Sequence, residues 1–301
     1  MRSMLFVPAT NPDVIAKAAA SGADSVCIDL EDAVPPADKV ASRRHVTRSF
    51  ADLPFGTKRR MFRINAIDTP YAYRDLIDVV EAVGANVDLV MIPKVRSPDD
   101  IRFVDQLLLQ IEMQCSLVPF RIGIEAQIET ASGFMWLREI SQSSRRLQCL
   151  IFGPGDYAAS MRMPSSGIGA HDASDDVYPG HRWHAAMHGI VAAARAAGIR
   201  CMDGPFAAYR DAAGFERSCR IARAMGFDGK QCIHPSQIAT VHAVFAPTSA
   251  EIANARQVVD AYDAALAAGR GAATLNGAMI DEASARMARV VLDQQRLGMP
   301  Q

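Results

Sequence analysis

Two carboxylates stand where apolar runs stop. "RIGIEAQIE" closes on Glu129, and "CLIFGPGDYAASM" breaks at Gly153, Pro154 and Gly155 before presenting Asp156. Runs of this length and composition read as buried strands. Two carboxylates without nearby His or Cys suit a hard dication such as Mg2+, which takes one or two carboxylates and leaves its other positions to water and substrate oxygen. A plainer reading stays open, in which Asp156 caps a helix starting at Tyr157 and Glu129 pairs with a buried cation. Arg63, in "RRMFRIN", offers a planar and permanently charged fork suited to a carboxylate or an enolate; its alternative is a salt bridge to Glu31 or Asp32. Further run ends carry Asp29, Asn65 and Lys94. Lys94 would either contact substrate or steady the acidic cluster.

These residues need a frame that brings distant run ends together. Eight short apolar runs alternate with helix-like stretches: "MLFVPA", "SVCIDLED", "RRMFRIN", "DLVMIPK", "RIGIEAQIE", "QCLIFGPGD", "IRCMDGPF" and "DGKQCIH". Intervening helices imply parallel strands, because parallel neighbours need a long crossover. Eight such units predict an α/β fold, a (β/α)8 TIM barrel, whose functional residues gather at the carboxyl ends of the strands. "NPDVIAKAAASG" reads as a helix capped by Asn11 with Pro12 in its first turn, and "HAAMHGIVAAARAAG" as one that stops at Gly198. No G-x-G-x-x-G follows the first run, so a doubly wound dinucleotide fold lacks its main support. The expected division is a barrel over 1–246 and a C-terminal extension over 247–301, read as a helix, a short extended piece and a second helix. A long loop is expected from Met163 to Gly180.

Composition excludes several classes. The formal net charge is −1, with 32 basic and 33 acidic residues intermixed, which gives no footprint for nucleic acid or an anionic membrane. No apolar stretch approaches the roughly 20 residues needed to span a bilayer, and the apolar start before Pro8 is too short for a signal peptide, so a cytoplasmic protein is expected. The six cysteines lack C-x-x-C spacing and read as small buried hydrophobes. His181, His184 and His188 share a helical face that could bind zinc, but "HRWHAAMH" lacks the glutamate of H-E-x-x-H and reads as a polar face. His234 lies just past the eighth run, where it could help line the pocket. Neither G-x-S-x-G nor a P-loop is present.

Taken in order, "RSMLFVPA", "DLEDAV", "FRIN", "MIPK", "IETASG", "FGPGDYAAS" and "GFDGKQCIHPSQI" resemble the HpcH/HpaI aldolase and citrate lyase beta-subunit family, in particular its free-standing malyl-CoA and citramalyl-CoA lyases. The resemblance spans nearly the whole chain. It implies a TIM barrel that assembles as a homotrimer or hexamer and cleaves 3-hydroxyacyl-CoA thioesters with Mg2+, for which Mn2+ could substitute. The partners implied are a CoA thioester and a 2-oxo acid. In that light Arg63 would bind substrate and act in catalysis, Glu129 would touch both metal and substrate, and Asp156 would be the second metal ligand. Gly155 joins the substrate-binding set, and Arg2 is the candidate for the nucleotide end of CoA. Asp281, in "GAMIDEASARMA", corresponds to an aspartate that the family places over a neighbouring subunit's site for acid/base work; its bare reading is a helix cap. Gln127 departs from the pattern, standing where "ALIETA"-type sequences are apolar. Two alternatives remain: a citrate lyase beta-subunit-like protein working in a complex, and a CoA-independent pyruvate-class aldolase.

Overall fold

The computed structural model describes residues 1–177 and 181–298. Eight strands close into a parallel barrel in chain order: β1 (Ser3–Pro8), β2 (Ser25–Asp29), β3 (Arg59–Arg63), β4 (Leu89–Ile92), β5 (Gly123–Ile128), β6 (Leu147–Phe152), β7 (Arg200–Asp203) and β8 (Gly229–Cys232). Closure is made by β1 on β8, with Ser3 opposite Lys230 and Leu5 opposite Cys232. All eight expected runs are strands. Continuous burial explains why they read as unbroken apolar segments: every residue of β2, β4 and β5 is buried, since helices cover one face and the barrel interior the other. Among the described residues no helix is long and apolar enough to cross a membrane.

Local chemistry sets the helices between the strands. Asn11 Oδ1 accepts from the backbone N–H groups of Asp13 and Val14 at 3.1 and 3.3 Å and starts the helix Pro12–Ala19. The helix His184–Ala196 ends just before Gly198, whose φ of 69° lies in the left-handed region that favours glycine. Within the expected Met163–Gly180 loop the structure forms a short helix, Ala173–Val177, and Arg182 ties the loop down through Asp172 and Asp175 at 3.2 and 2.8 Å. The last three loop residues lie outside the described range.

Two compact units divide the chain, one covering Arg2–His242 and the other running from Ala243 onward. The boundary falls inside the helix Ile238–Phe245. In the second unit the helix Ser249–Ala267 opens with a capping box in which Thr248 and Glu251 each bond the other's backbone N–H. It packs with the helix Glu282–Gly298 around Ala255, Val258, Tyr262, Ile280, Ala285 and Ala288. The segment expected as one extended piece is a hairpin, β9 (Ala273–Leu275) paired antiparallel with β10 (Ala278–Ile280). Asn276 and Gly277 turn it with φ of 51° and 80°, the two positive values that a tight hairpin turn demands.

Candidate active site and metal centre

Glu129 follows the last residue of β5 and is 1 % exposed. Both of its oxygens are held by neighbours. The Lys94 backbone N–H donates to Oε1 at 2.8 Å, and Gln127 Nε2 donates to Oε2 at 2.7 Å. Lys94 makes its bond from a left-handed backbone, with φ of 50°, a conformation costly to a side chain with a Cβ and therefore retained only under local constraint. Beneath the carboxylate runs Gly153, where a Cβ would lie 2.2 Å from Glu129 Oε2 and 2.5 Å from Glu129 Cβ. Asp156 arrives from β6 in the first turn of the helix Pro154–Ser160, so the helix starts two residues before it and Asp156 is not its cap. Its side chain is 44 % exposed and opens onto the cavity.

Arg63 ends β3 and is clamped from below. Its Nε and Nη2 each donate to Asp29 at 2.7 Å, a bidentate pair, and its Nη1 stands 3.0 Å from Glu31 Oε2. The last contact is attractive but off the hydrogen-bond axis, so Glu31 Oε2 has no aligned donor among the described residues. The guanidinium lies over the Phe6 ring, 5.4 Å from its centroid. Sequence reasoning named Glu31 and Asp32 as partners; the principal partner is Asp29, and Asp32 pairs with Lys94 instead. Lys94 Nζ reaches Glu31 at 2.5 Å, Asp32 at 2.9 Å and Asp156 at 4.0 Å, which makes it the brace of the acidic cluster.

Arg63, Glu129, Asp156 and Gly155 line one cavity of about 440 Å3 at the carboxyl ends of the strands, with Val7, Pro8, Ile168, Pro205 and Ile233 as apolar wall. A second cavity of about 320 Å3, beside the helices His184–Ala196 and Ala212–Met225, holds none of these four. His234 is outside the lining of the first cavity. It stacks on Tyr209 at 4.7 Å and caps a short turn by accepting from the Ser236 N–H. Arg2 is not brought to the cavity either: it precedes β1 at the amino end of the barrel, beside Asp24, while the cavity lies at the carboxyl end. Asp281 lies in the second unit, where its Oδ1 accepts from the Ser284 N–H at 2.9 Å and from Ser284 Oγ at 3.0 Å, as a helix cap does.

Electrostatics of the cluster fit a dication. Five carboxylates (Asp29, Glu31, Asp32, Glu129 and Asp156) face two cations (Arg63 and Lys94). Burial pushes Glu129 up to about 8 against the pull of Arg63, and the charges of Asp156 and Glu31 add to the rise. Glu31 is likewise raised, by burial before all else. For Asp29 burial acts upward, but the Arg63 charge and its hydrogen bonds outweigh it and hold the carboxyl below its ordinary value. Carboxylate oxygens thus crowd at Glu129 and Asp156 where burial disfavours the ionised form of Glu129, a setting that a bound dication would reverse, and oxygen donors of this kind suit Mg2+. Among the described residues no group of three or more His, Cys, Asp or Glu side chains is arranged to hold a metal. His184 and His188 pack their rings 4.3 Å apart, and no third ligand joins them among those residues.

Sequence reasoning placed Asp29 at a run end without pairing it to Arg63, and it missed Gln231. Asp29 could have been found as the acidic residue paired with Arg63 across neighbouring strands, the two standing opposite each other in the β2–β3 register. Gln231 lines the cavity from β8, and its run gave no signal, because a single amide between Lys230 and Cys232 reads as an ordinary solvent-facing side chain.

Known proteins share this frame. The family profile described as HpcH/HpaI aldolase/citrate lyase matches residues 2–235. An L-malyl-CoA/beta-methylmalyl-CoA lyase of Cereibacter sphaeroides is 38 % identical over 304 residues, covering 98 % of this chain and 95 % of the relative. The citrate lyase subunit beta of Leuconostoc mesenteroides subsp. cremoris is 34 % identical over 296 residues, covering 98 % and 91 %. Among solved structures, the protein CitE of Mycobacterium tuberculosis in complex with magnesium, acetoacetate and coenzyme A superposes with a TM-score of 0.76 at 31 % identity, over 98 % of each chain. With its closed barrel and the acidic cavity at the strand ends, the chain belongs to the HpcH/HpaI aldolase/citrate lyase family.

Proposed function

We propose that the chain is a Mg2+-dependent lyase that reversibly cleaves the carbon–carbon bond of a 3-hydroxyacyl-CoA such as malyl-CoA, methylmalyl-CoA or citramalyl-CoA. The products are acetyl-CoA or propionyl-CoA and glyoxylate or pyruvate. The observation that carries this reading is the delivery of Glu129, Asp156 and Arg63 by three strands to one cavity. Relatives named as lyases of these thioesters, and a solved neighbour that contains magnesium and coenzyme A, support it.

In cleavage the substrate hydroxyl loses its proton, the carbon–carbon electron pair passes to the thioester as an enolate, and the enolate takes up a proton at carbon. Glu129 and Asp156 would hold the metal, Mg2+ or Mn2+, which when bound acidifies the hydroxyl and, in the reverse direction, polarises the oxo group. Arg63, fixed by Asp29, retains donors with which to stabilise charge developing on the enolate or substrate oxygen without reorganising. Gly155 lines the cavity and would present its backbone to substrate. Asp281, supplied by a neighbouring subunit of a homotrimer or hexamer, would move the proton to carbon.

Purified protein should cleave malyl-CoA with Mg2+ and stop when the metal is chelated. Glu129→Gln should lower kcat/KM at least about a hundredfold with an unchanged circular dichroism spectrum. A Glu129→Gln enzyme of wild-type rate would sink the metal assignment. Cleavage of free hydroxy-oxo acids without CoA would instead identify a CoA-independent aldolase.

A further inference from the structure

Glu129 Oε1 is held by a peptide in a costly conformation. The donor is the Lys94 backbone N–H at 2.8 Å, and Lys94 has φ of 50°, in the left-handed region where a Cβ crowds the backbone. Rotation about φ is what aims this N–H. The peptide that follows Lys94 is anchored separately: the Val95 N–H donates to Gln127 O at 3.3 Å, and Val95 O accepts from Thr130 Oγ1 at 3.1 Å. Neither of those bonds fixes the peptide before Lys94, which carries the N–H.

The Lys94 side chain offers a second anchor. Its Nζ donates to Glu31 Oε1 at 2.5 Å and to Asp32 Oδ1 and Oδ2 at 2.9 and 3.0 Å, charge-assisted bonds to the loop that follows β2. Glu31 is 4 % exposed, so the tether ends on a buried group and differs from a surface pair. Asp156, at 4.0 Å from Nζ, lies beyond hydrogen-bond reach. The ammonium therefore spends its donors on carboxylates of the chain, which favours bracing over the alternative of a substrate contact. Glu31 also stands 3.0 Å from Arg63 Nη1, so one carboxylate steadies the arginine and, through Lys94, the glutamate.

We infer that Lys94 is a positioning residue: its ammonium, tethered to Glu31 and Asp32, holds its own peptide left-handed so that the N–H sets the Glu129 carboxylate in place for a metal. The last clause rests on the reading of Glu129 as a metal ligand. Tether and conformation can be separated, because glycine adopts positive φ without a tether. An uncharged side chain with a Cβ keeps the cost and loses the tether, so φ should relax and draw the N–H away from Glu129. Every uncharged variant loses the same charge beside Asp156, so these variants are compared with one another.

Lys94→Ala, Lys94→Met and Lys94→Gly, each in the full chain, make the test. In metal-free protein, hydrogen exchange at amide 94, read by mass spectrometry and corrected for intrinsic rate, should be about tenfold slower in Lys94→Gly and in the wild type than in Lys94→Ala or Lys94→Met. Calorimetric titration should show Lys94→Gly binding Mg2+ about tenfold more tightly than the other two variants. A role confined to stability would shift melting temperatures and leave the variants' Mg2+ affinities equal, which overturns the inference. Equal exchange at amide 94 in the wild type and all three variants overturns it as well. Lys94→Ala and Lys94→Met each supply the comparison, and exchange in the wild type replaces Lys94→Gly where that variant fails to fold. The expected order of exchange in a wild type that binds no Mg2+ would refute the metal reading of Glu129 and leave the positioning of its carboxylate standing.

Discussion

Gly153 has no side chain because Glu129 occupies the space that one would fill. Its backbone is otherwise ordinary, with φ of −109°, so the constraint is room and not conformation. Gly153→Ala should therefore displace the Glu129 carboxylate from its seat between Lys94 and Gln127 and weaken Mg2+ affinity about 10- to 100-fold, as disturbance of a ligand's supporting contacts does; calorimetric titration of the metal checks it. Cysteine chemistry is the opposite case, in which burial removes function. Burial pushes Cys201, Cys219 and Cys232 up to about 12, and Cys27 and Cys149 are fully buried and raised as well. Little nucleophilic thiolate exists in such sites at neutral pH. Native protein should release about one equivalent of thionitrobenzoate from Ellman's reagent, from the half-buried Cys115. All six thiols should react in guanidinium chloride.

At the scale of elements, Arg146 joins a helix to the barrel. It enters β6 wholly buried, forks onto Glu112 of the helix Pro98–Gln114 at 2.9 and 2.6 Å, and reaches Asp105 at 2.6 Å. Arg146→Met strands the buried Glu112 carboxylate and should cost about 3–5 kcal/mol, read as a lower melting temperature. For Glu112 burial acts upward, but the hydrogen bonds from Arg146 and from the Ile122 and Phe120 N–H groups outweigh it, leaving the carboxyl below its ordinary value. Stability from such a lowered group is complete above the unfolded-state value and is lost as pH falls through the folded one. The gap between wild type and Arg146→Met should therefore be wide at roughly pH 7 and narrow at roughly pH 3.

Legibility in the sequence followed the length of the element. Runs such as "DLVMIPK" announced strands because both faces are buried, and Glu129 and Asp156 were visible because each interrupts such a run at its end. Three-residue strands leave too short a pattern, so Ala273–Leu275 and Ala278–Ile280 read as one extended piece although Asn276–Gly277 spells a hairpin turn. Which carboxylate holds Arg63 depends on side-chain reach across strands, and a linear reading preferred Glu31 and Asp32 to Asp29. Nearness to a strand in sequence does not say which end of the barrel a residue serves, and Arg2 stands at the amino end, beside Asp24.

At the scale of the whole molecule, the reading that Asp281 serves a neighbour makes a quantitative demand. Arg63→Ala and Asp281→Ala chains, each inactive alone, should recover about a quarter of wild-type activity when mixed in equal amounts and reassembled, because each half of a shared site is intact with even odds. Steady-state turnover of the mixture measures it, and an inactive mixture counts against the sharing. Closure of the barrel carries its own consequence. The strand that leaves the ribosome first must hydrogen-bond to the last strand of the barrel, more than two hundred residues later. At cellular rates of synthesis β1 waits on the order of ten seconds or more with one backbone edge bare. A nascent chain of this protein is thus a client for holdase protection, and stalling translation before residue 229 should leave it prone to aggregate.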